Sequence, residues 1–220
     1  MGIFNTKSIT GTLNSIRVPE KRVFSYKVML GLAVSGILMG IIAQLSGLWN
    51  QAWLVEVMQS FGLWIFSITI IACFSKSPKQ AFIYLSIFLF SMILAYYLLP
   101  LVLYGVFSTA SFCLWSIFGA VAAIGGMVLW YGRGKGILSA FILSLPFALI
   151  CAEIVFVIAL ALHDLLRTVI IGYFSIATDI FMLLILITAI PLNKTQRILS
   201  MAFALPLIVS FILIIARWCF

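Results

Sequence analysis

The chain has few charged residues, and this scarcity determines the class of protein. Charged residues make up 8% of the 220 positions, whereas soluble domains carry about 25%. Hydrophobic residues make up 65%, and the mean hydropathy is +1.29. This composition excludes an ordinary soluble domain. We therefore expect an integral membrane protein whose main solvent and partner is the lipid bilayer.

Residues that carry enzymatic or metal chemistry are also scarce. His163 is the only histidine, and the four cysteines form no CxxC pair. The chain has no HExxH or GxSxG motif. We therefore expect no enzyme, no metal site and no cofactor. The basic residues follow the pattern of topology signals rather than clustering on one soluble face, so we expect no nucleic-acid partner.

Seven apolar stretches remain, and each is long enough to cross a bilayer, which takes about 20 residues. Short connections make consecutive helices antiparallel neighbours. The sequence therefore predicts an all-α, polytopic transmembrane helix bundle. Residues 27–220 form one domain, and residues 1–26 form a basic tail. The predicted spans are 27–47, 54–74, 81–104, 111–131, 137–162, 169–190 and 198–217.

The positive charges predict an orientation. If the seven spans are right, eleven of the thirteen Lys and Arg residues fall on one side. Only Arg167 and Arg217 fall on the other side. Cytoplasmic loops carry an excess of Lys and Arg. We therefore expect a cytoplasmic N-terminus and an external C-terminus in a cell membrane, the cytoplasmic membrane of a bacterium.

Two of the five acidic residues, Glu153 and Asp179, fall in the predicted membrane interior. Each lies about 15 Å from the outer surface at 1.5 Å per residue. Their helices are joined by a short turn, so the two carboxyls are expected at one depth on neighbouring helices. No Lys or Arg lies at that depth. Burial and a second carboxyl both favour the protonated form, which is the electrostatic basis of a proton relay or cation site.

Other residues are candidates for the surroundings of this site. Ser175 shares a helix face with Asp179 and is a candidate third ligand- or proton-binding residue. A group of polar and aromatic residues is a candidate outer mouth: Trp49, Trp53, Glu56 and His163. The alternatives are an interfacial belt with a frayed helix end for the first three and helix capping for the histidine.

Small residues predict where helices approach each other closely. Gly36 and Gly40 form a GxxxG motif in the first span, and the fourth span carries Gly119, Ala123 and Gly126. Small residues let the backbones of membrane helices come together. Packing within the chain is the favoured interpretation, and a homodimer face is the alternative.

Two stretches carry a resemblance to known families. The first is Gly62–Tyr97, and the second is Trp115–Glu153 with Gly119 and Gly125–Gly126. They resemble small polytopic bacterial membrane-protein families without an assigned function. In size and short loops the chain is also similar to the substrate-binding subunits of energy-coupling-factor transporters, which are usually six-span proteins with an outward-facing pocket. The seventh span departs from that pattern, and no residue role follows from either resemblance.

Together these features predict small-molecule transport or membrane ligand binding. The site would lie in the outer half of the bundle, and a small cationic ligand or a proton fits the acidic residues best. A membrane partner subunit is a further expectation. The alternative is a noncatalytic membrane scaffold or assembly factor, in which the buried acids only hold helices together.

Overall fold

The structure is a computed structural model that describes residues 16–20, 24–48, 52–163 and 169–219. Every regular element in these ranges is helical, in line with the predicted all-α class. A short 3-10 helix, Trp130–Arg133, follows the α-helix that ends at Leu129. The helices are α1 (Tyr26–Leu48), α2 (Ala52–Gln59), α3 (Phe61–Phe74), α4 (Pro78–Tyr104), α5 (Thr109–Leu129), α6 (Ile137–His163), α7 (Val169–Ala189) and α8 (Lys194–Cys219).

Several helices fit a membrane. Within the described residues, five are long and apolar enough to cross a bilayer, and there are six candidates if α2 and α3 together form one bent span. The part of α7 from Tyr173 to Ala189 is a shorter apolar helix. The chain is therefore compatible with a multi-pass membrane protein, while the count of seven spans and the orientation stay predictions.

The span predicted over 54–74 is not one helix. It divides into α2 and α3, whose axes are bent by 43°. Ser60, between the two helices, has an extended backbone with φ −64° and ψ 140°. Its hydroxyl donates to Val57 O at 3.1 Å and accepts from Leu63 N–H at 3.3 Å. Ser60 thus ends one helix and caps the next. Its hydroxyl bonds to backbone groups that a helix break inside a membrane would otherwise leave without a hydrogen-bond partner.

The bent α2–α3 pair lies between two groups of helices. On one side α4 packs against α1 and α5, and on the other side α6 packs against α7 and α8. Helix α3 contributes to both cores. Ala72 belongs to a core with Leu85 and Ala123, whereas Cys73 belongs to a second core with Phe147 and Leu186. Helix α2 contacts α1 of the first group and α7 of the second, so the break also lies at the junction of the two groups.

The GxxxG motif packs inside the chain. A Cβ atom at Gly36 would collide with the carbonyl oxygen of Phe88, and one at Gly40 would collide with that of Met92. Both oxygens belong to the main chain of α4. The two glycines therefore bring α1 and α4 into backbone contact, in agreement with the favoured interpretation of the motif.

The turns after α3, α5 and α7 meet at one end of the bundle, here called the basic end because Lys76, Arg133 and Lys194 lie there. Gln196 of α8 donates to Gly132 O and Gly134 O at 2.9 and 3.1 Å. Residues 16–20 join the same end, since Lys135 N–H donates to Ile16 O and Glu20 N–H donates to Lys76 O.

Arg17 forms hydrogen bonds with two of the segments that meet at the basic end. Its guanidinium donates to Cys73 O, Ser75 O and Trp130 O at 3.0, 3.0 and 2.6 Å, and it lies over the Trp130 ring at 4.1 Å. The three carbonyls lie at or near the ends of α3 and α5, where helix dipoles attract cations. Burial lowers the pKa of the Arg17 guanidinium from its ordinary value, but this group stays charged at neutral pH.

Replacing Arg17 with glutamine should destabilise the basic end. The variant loses three charge-assisted hydrogen bonds, each worth about 1.5–3 kcal/mol, and partial exposure of Arg17 reduces their sum to about 3 kcal/mol. The free energy of unfolding in a bilayer or detergent measures this loss. Lys27→Gln makes the same change of charge at an exposed position of α1 and is the matched control. Equal stabilities of the two variants would contradict the role given to Arg17.

Candidate acidic site at a helix break

Glu153 caps the first turn of α3. Its Oε1 atom accepts a hydrogen bond from Phe61 N–H at 2.9 Å, and its carboxyl also faces the Gly62 N–H. The first N–H groups of a helix have no partner inside the helix, and they carry positive partial charge. The carboxyl of α6 therefore binds the positive end of α3 at the point where the α2–α3 pair is broken.

Asp179 of α7 lies at the same point. A Cβ atom at Gly62 would collide with Asp179 Oδ1 and would lie 3.1 Å from Glu153 Oε2. The two carboxyls thus border one small space beside the Gly62 Cα atom, close enough for their charges to interact. The structure therefore brings the two acids of the predicted pair together, and Gly62 leaves the room for them.

The carboxyl oxygens are poorly satisfied by the protein. Asp179 is 0% exposed, and neither of its oxygens has a hydrogen-bond partner within the described residues. Glu153 Oε2 is also buried and has no hydrogen-bond partner within the described residues. Leaving a buried polar group without a partner costs about 1–3 kcal/mol, and more for a charged group. Three such oxygens around one space form an arrangement suited to accept a proton or a cation.

Three of the other predicted site residues lie on α2 and α7, helices that border the break. Ser175 is buried on α7, four residues before Asp179 and on the same helix face. Trp53 is an exposed residue of α2 whose ring lies 5.6 Å from that of Phe174, and Glu56 is half-buried on the same helix. Trp49 lies outside the described residues, and so does the side chain of His163.

A cavity of about 300 Å³ lies on the opposite side of the break from the acids. None of its lining residues is charged, and five are aromatic. Phe61 belongs to both sides, because its N–H group donates to Glu153 and the residue also lines the cavity. The lining residues are Met39, Gly40, Ala43, Met58, Gln59, Phe61, Trp64, Met92, Ile93, Tyr96, Tyr97 and Trp115.

Gly62, Phe61 and the cavity were not predicted from the sequence. The available signal was the run Gln59-Ser60-Phe61-Gly62, which places two polar residues and a glycine inside an apolar stretch. Such an interruption indicates a broken helix, and broken helices line binding sites in many transporters. The lining of the cavity has no signal of this kind, because it comes from five helices whose neighbours only the fold determines.

Metal-binding side chains do not cluster in the part of the chain that the structure describes, where no three His, Cys, Asp or Glu residues are grouped. Cys73, Cys113 and Cys151 are free. No protein-family model, curated protein or solved structure matches this chain.

Proposed function

We propose that the chain is a multi-pass membrane protein that transports or binds a small molecule, and that the Glu153–Asp179 pair is its proton- or cation-binding site. The observation that carries the proposal is the fully buried Asp179 carboxyl, whose oxygens have no hydrogen-bond partner among the described residues and which lies beside Glu153 at a broken helix. A charge at membrane depth is expensive, so buried membrane acids mark ion or proton pathways by default.

The basic end gives this proposal a direction. Lys76, Arg133, Lys135 and Lys194 lie near the turns that meet there, and Arg17 is bound among them. The positive-inside rule makes this end cytoplasmic. The acid pair lies at the break between α2 and α3, which is at the opposite end of α3 from the basic end. We therefore propose that the pair lies in the outer half of the bundle, where a proton or cation would arrive from outside.

Neutralising either acid tests the proposal. The protein is reconstituted into liposomes that contain a pH-sensitive dye, and a potassium diffusion potential drives protons across the membrane; ²²Na⁺ uptake is measured in parallel. We expect wild-type flux of one of these ions and its loss in Glu153→Gln and Asp179→Asn, because an amide cannot exchange a proton or bind a cation by charge.

Glu20→Gln is the control for this experiment, since Glu20 is an exposed acid at the basic end, 3.9 Å from Lys76 Nζ. It should keep wild-type flux. Folding of every variant is checked by its thermal unfolding. If neither ion moves through the wild-type protein, the proposed transport of these ions is wrong; if both neutral variants fold and conduct as the wild type does, the assignment of the acid pair is wrong.

One observation favours the alternative, a noncatalytic scaffold. Glu153 already has a structural task, because it caps α3 through Phe61 N–H. A glutamine oxygen could accept the same hydrogen bond, so a scaffold would tolerate Glu153→Gln. Asp179 distinguishes the proposed transport or binding function from the scaffold function. A purely structural aspartate should have a partner, and its oxygens have none among the described residues.

A further inference from the structure

The cavity beside the break is lined by rings and thioethers. Five of its lining residues are aromatic and three are methionines, namely Met39, Met58 and Met92. Its volume lies at the lower end of the range of about 300–1,000 Å³ that is typical of ligand pockets. The cavity therefore suits a compact organic molecule. Methionine side chains are flexible and polarisable, and they adapt to ligands of different shape.

Four of the five aromatic lining residues form two pairs of rings set at an angle, and Tyr97 and Trp115 also contact phenylalanine rings outside the lining. Trp64 and Trp115 lie with ring centroids 5.4 Å apart at an interplanar angle of 43°. Tyr96 and Tyr97 lie 5.1 Å apart at 71°. Rings that are tilted rather than stacked leave parts of their faces uncovered. The face of an aromatic ring carries negative partial charge and attracts a cation, most strongly in the case of tryptophan.

The charges around the cavity distinguish between ligand classes. Among the described residues, no Lys or Arg lines it, so an anion would have no counter-ion there. None of these lining residues carries a carboxylate either, so a small, strongly hydrated cation would lose its water shell without compensation. Phe61 lines the cavity and its N–H group donates to Glu153, so the acid pair and the cavity border the same helix break. The environment of the cavity is therefore apolar and rich in ring faces.

We infer that this cavity binds a hydrophobic organic cation of the quaternary ammonium class, held by Trp64, Trp115, Tyr96 and Tyr97. The inference rests on the proposed function, transport or binding of a small molecule. It adds the chemical class of that ligand. The faces of these four rings attract the positive charge of the cation, and the apolar lining of the cavity contacts the rest of the molecule. Recognition of quaternary ammonium groups by aromatic cages has this chemical basis.

Isothermal titration of the protein in lipid nanodiscs tests the inference. The probe is phenyltrimethylammonium, and the comparison compound is N,N-dimethylaniline, which keeps the ring but is neutral at neutral pH. A ring–cation contact is worth about threefold to thirtyfold in affinity. We expect the cation to bind at least about tenfold more tightly than the neutral compound.

Substitutions locate the binding. Tyr96→Leu and Trp115→Leu should each weaken binding of the cation about threefold to thirtyfold. Tyr104→Leu is the matched control, because Tyr104 is an exposed residue of the same helix as Tyr96 and does not line the cavity. This control should bind as the wild type does. Thermal unfolding of each variant shows whether a loss of binding reflects a loss of fold.

Three results would overturn the inference. They are no binding of the cation, equal affinity for the neutral compound, and binding that the two ring substitutions leave unchanged in folded protein. These results are separable from failure of the proposed function. Ion flux that depends on Glu153 and Asp179 without binding of the cation would reject only the ligand class. Ring-dependent binding together with flux that ignores the acids would reject only the acid pair.

Discussion

Replacing Gly40 with alanine is expected to cost the protein about 3 kcal/mol or more of folding free energy, at the upper end of the usual range for overpacked cores. The added Cβ atom would collide with the carbonyl oxygen of Met92 and would lie 3.1 Å from Tyr96 N. Both atoms belong to the main chain of α4. A main chain inside a helix cannot turn away as a side chain can, so α1 and α4 must separate along their contact.

The control for Gly40→Ala is Gly31→Ala in the same helix. A Cβ atom at Gly31 would meet no atom of the described residues within 4 Å. Alanine is favoured over glycine in a helix by about 1 kcal/mol, so this variant should keep or gain stability. Thermal unfolding in detergent compares the two. If they unfold at the same temperature, α1 and α4 do not form the backbone contact described above.

Much of the fold was predictable, because the composition of each span identifies a membrane helix without knowledge of its neighbours. The beginnings of α4 and α8 differ from the predictions for a physical reason. Helix α4 begins at Pro78 rather than at residue 81, since Ser77 accepts a hydrogen bond from Gln80 N–H and caps it. Helix α8 begins at Lys194 rather than at residue 198. Hydropathy reports the apolar part of a helix, whereas hydrogen bonding continues it into polar sequence.

The break at Ser60 could not be predicted from hydropathy, which averages over a window longer than the interruption. One serine hardly changes the mean of the stretch 54–74, although it ends one helix and starts another. The extended backbone of Ser60 is stable because Glu153, from a helix more than 90 positions away, satisfies Phe61 N–H. Long-range contacts of this kind are absent from any local pattern.

The acid pair was partly predictable. The short connection between α6 and α7 and the equal depths of Glu153 and Asp179 indicated that the two carboxyls lie close together. The sequence did not indicate that Gly62 lies beside the two carboxyls, because this residue belongs to a different span and carries no side chain. The sequence therefore indicated two acids facing each other, whereas the structure places them around the first turn of a third helix.

Replacing Gly62 with alanine is expected to abolish the ion flux that depends on the acid pair while leaving the protein folded. The new Cβ atom would occupy the space that Asp179 Oδ1 now fills and would lie 3.1 Å from Glu153 Oε2. Unlike the main chain facing Gly40, the Asp179 carboxyl is the end of a side chain and can rotate away. Its rotation separates the two carboxyls. The flux assay in liposomes measures the loss, and Gly125→Ala, which meets nothing within 4 Å, is the control.

A double-mutant cycle shows whether the Gly62 variant acts through Asp179. In the wild-type background the substitution must displace the carboxyl, which opposes the helical preference for alanine. In an Asp179→Ala background the obstructing oxygen is gone, so Gly62→Ala should stabilise the protein by up to about 1 kcal/mol. The difference between the two backgrounds is the coupling between the residues. If Gly62→Ala changes stability equally in both, the glycine does not make room for Asp179, and loss of flux would need another cause.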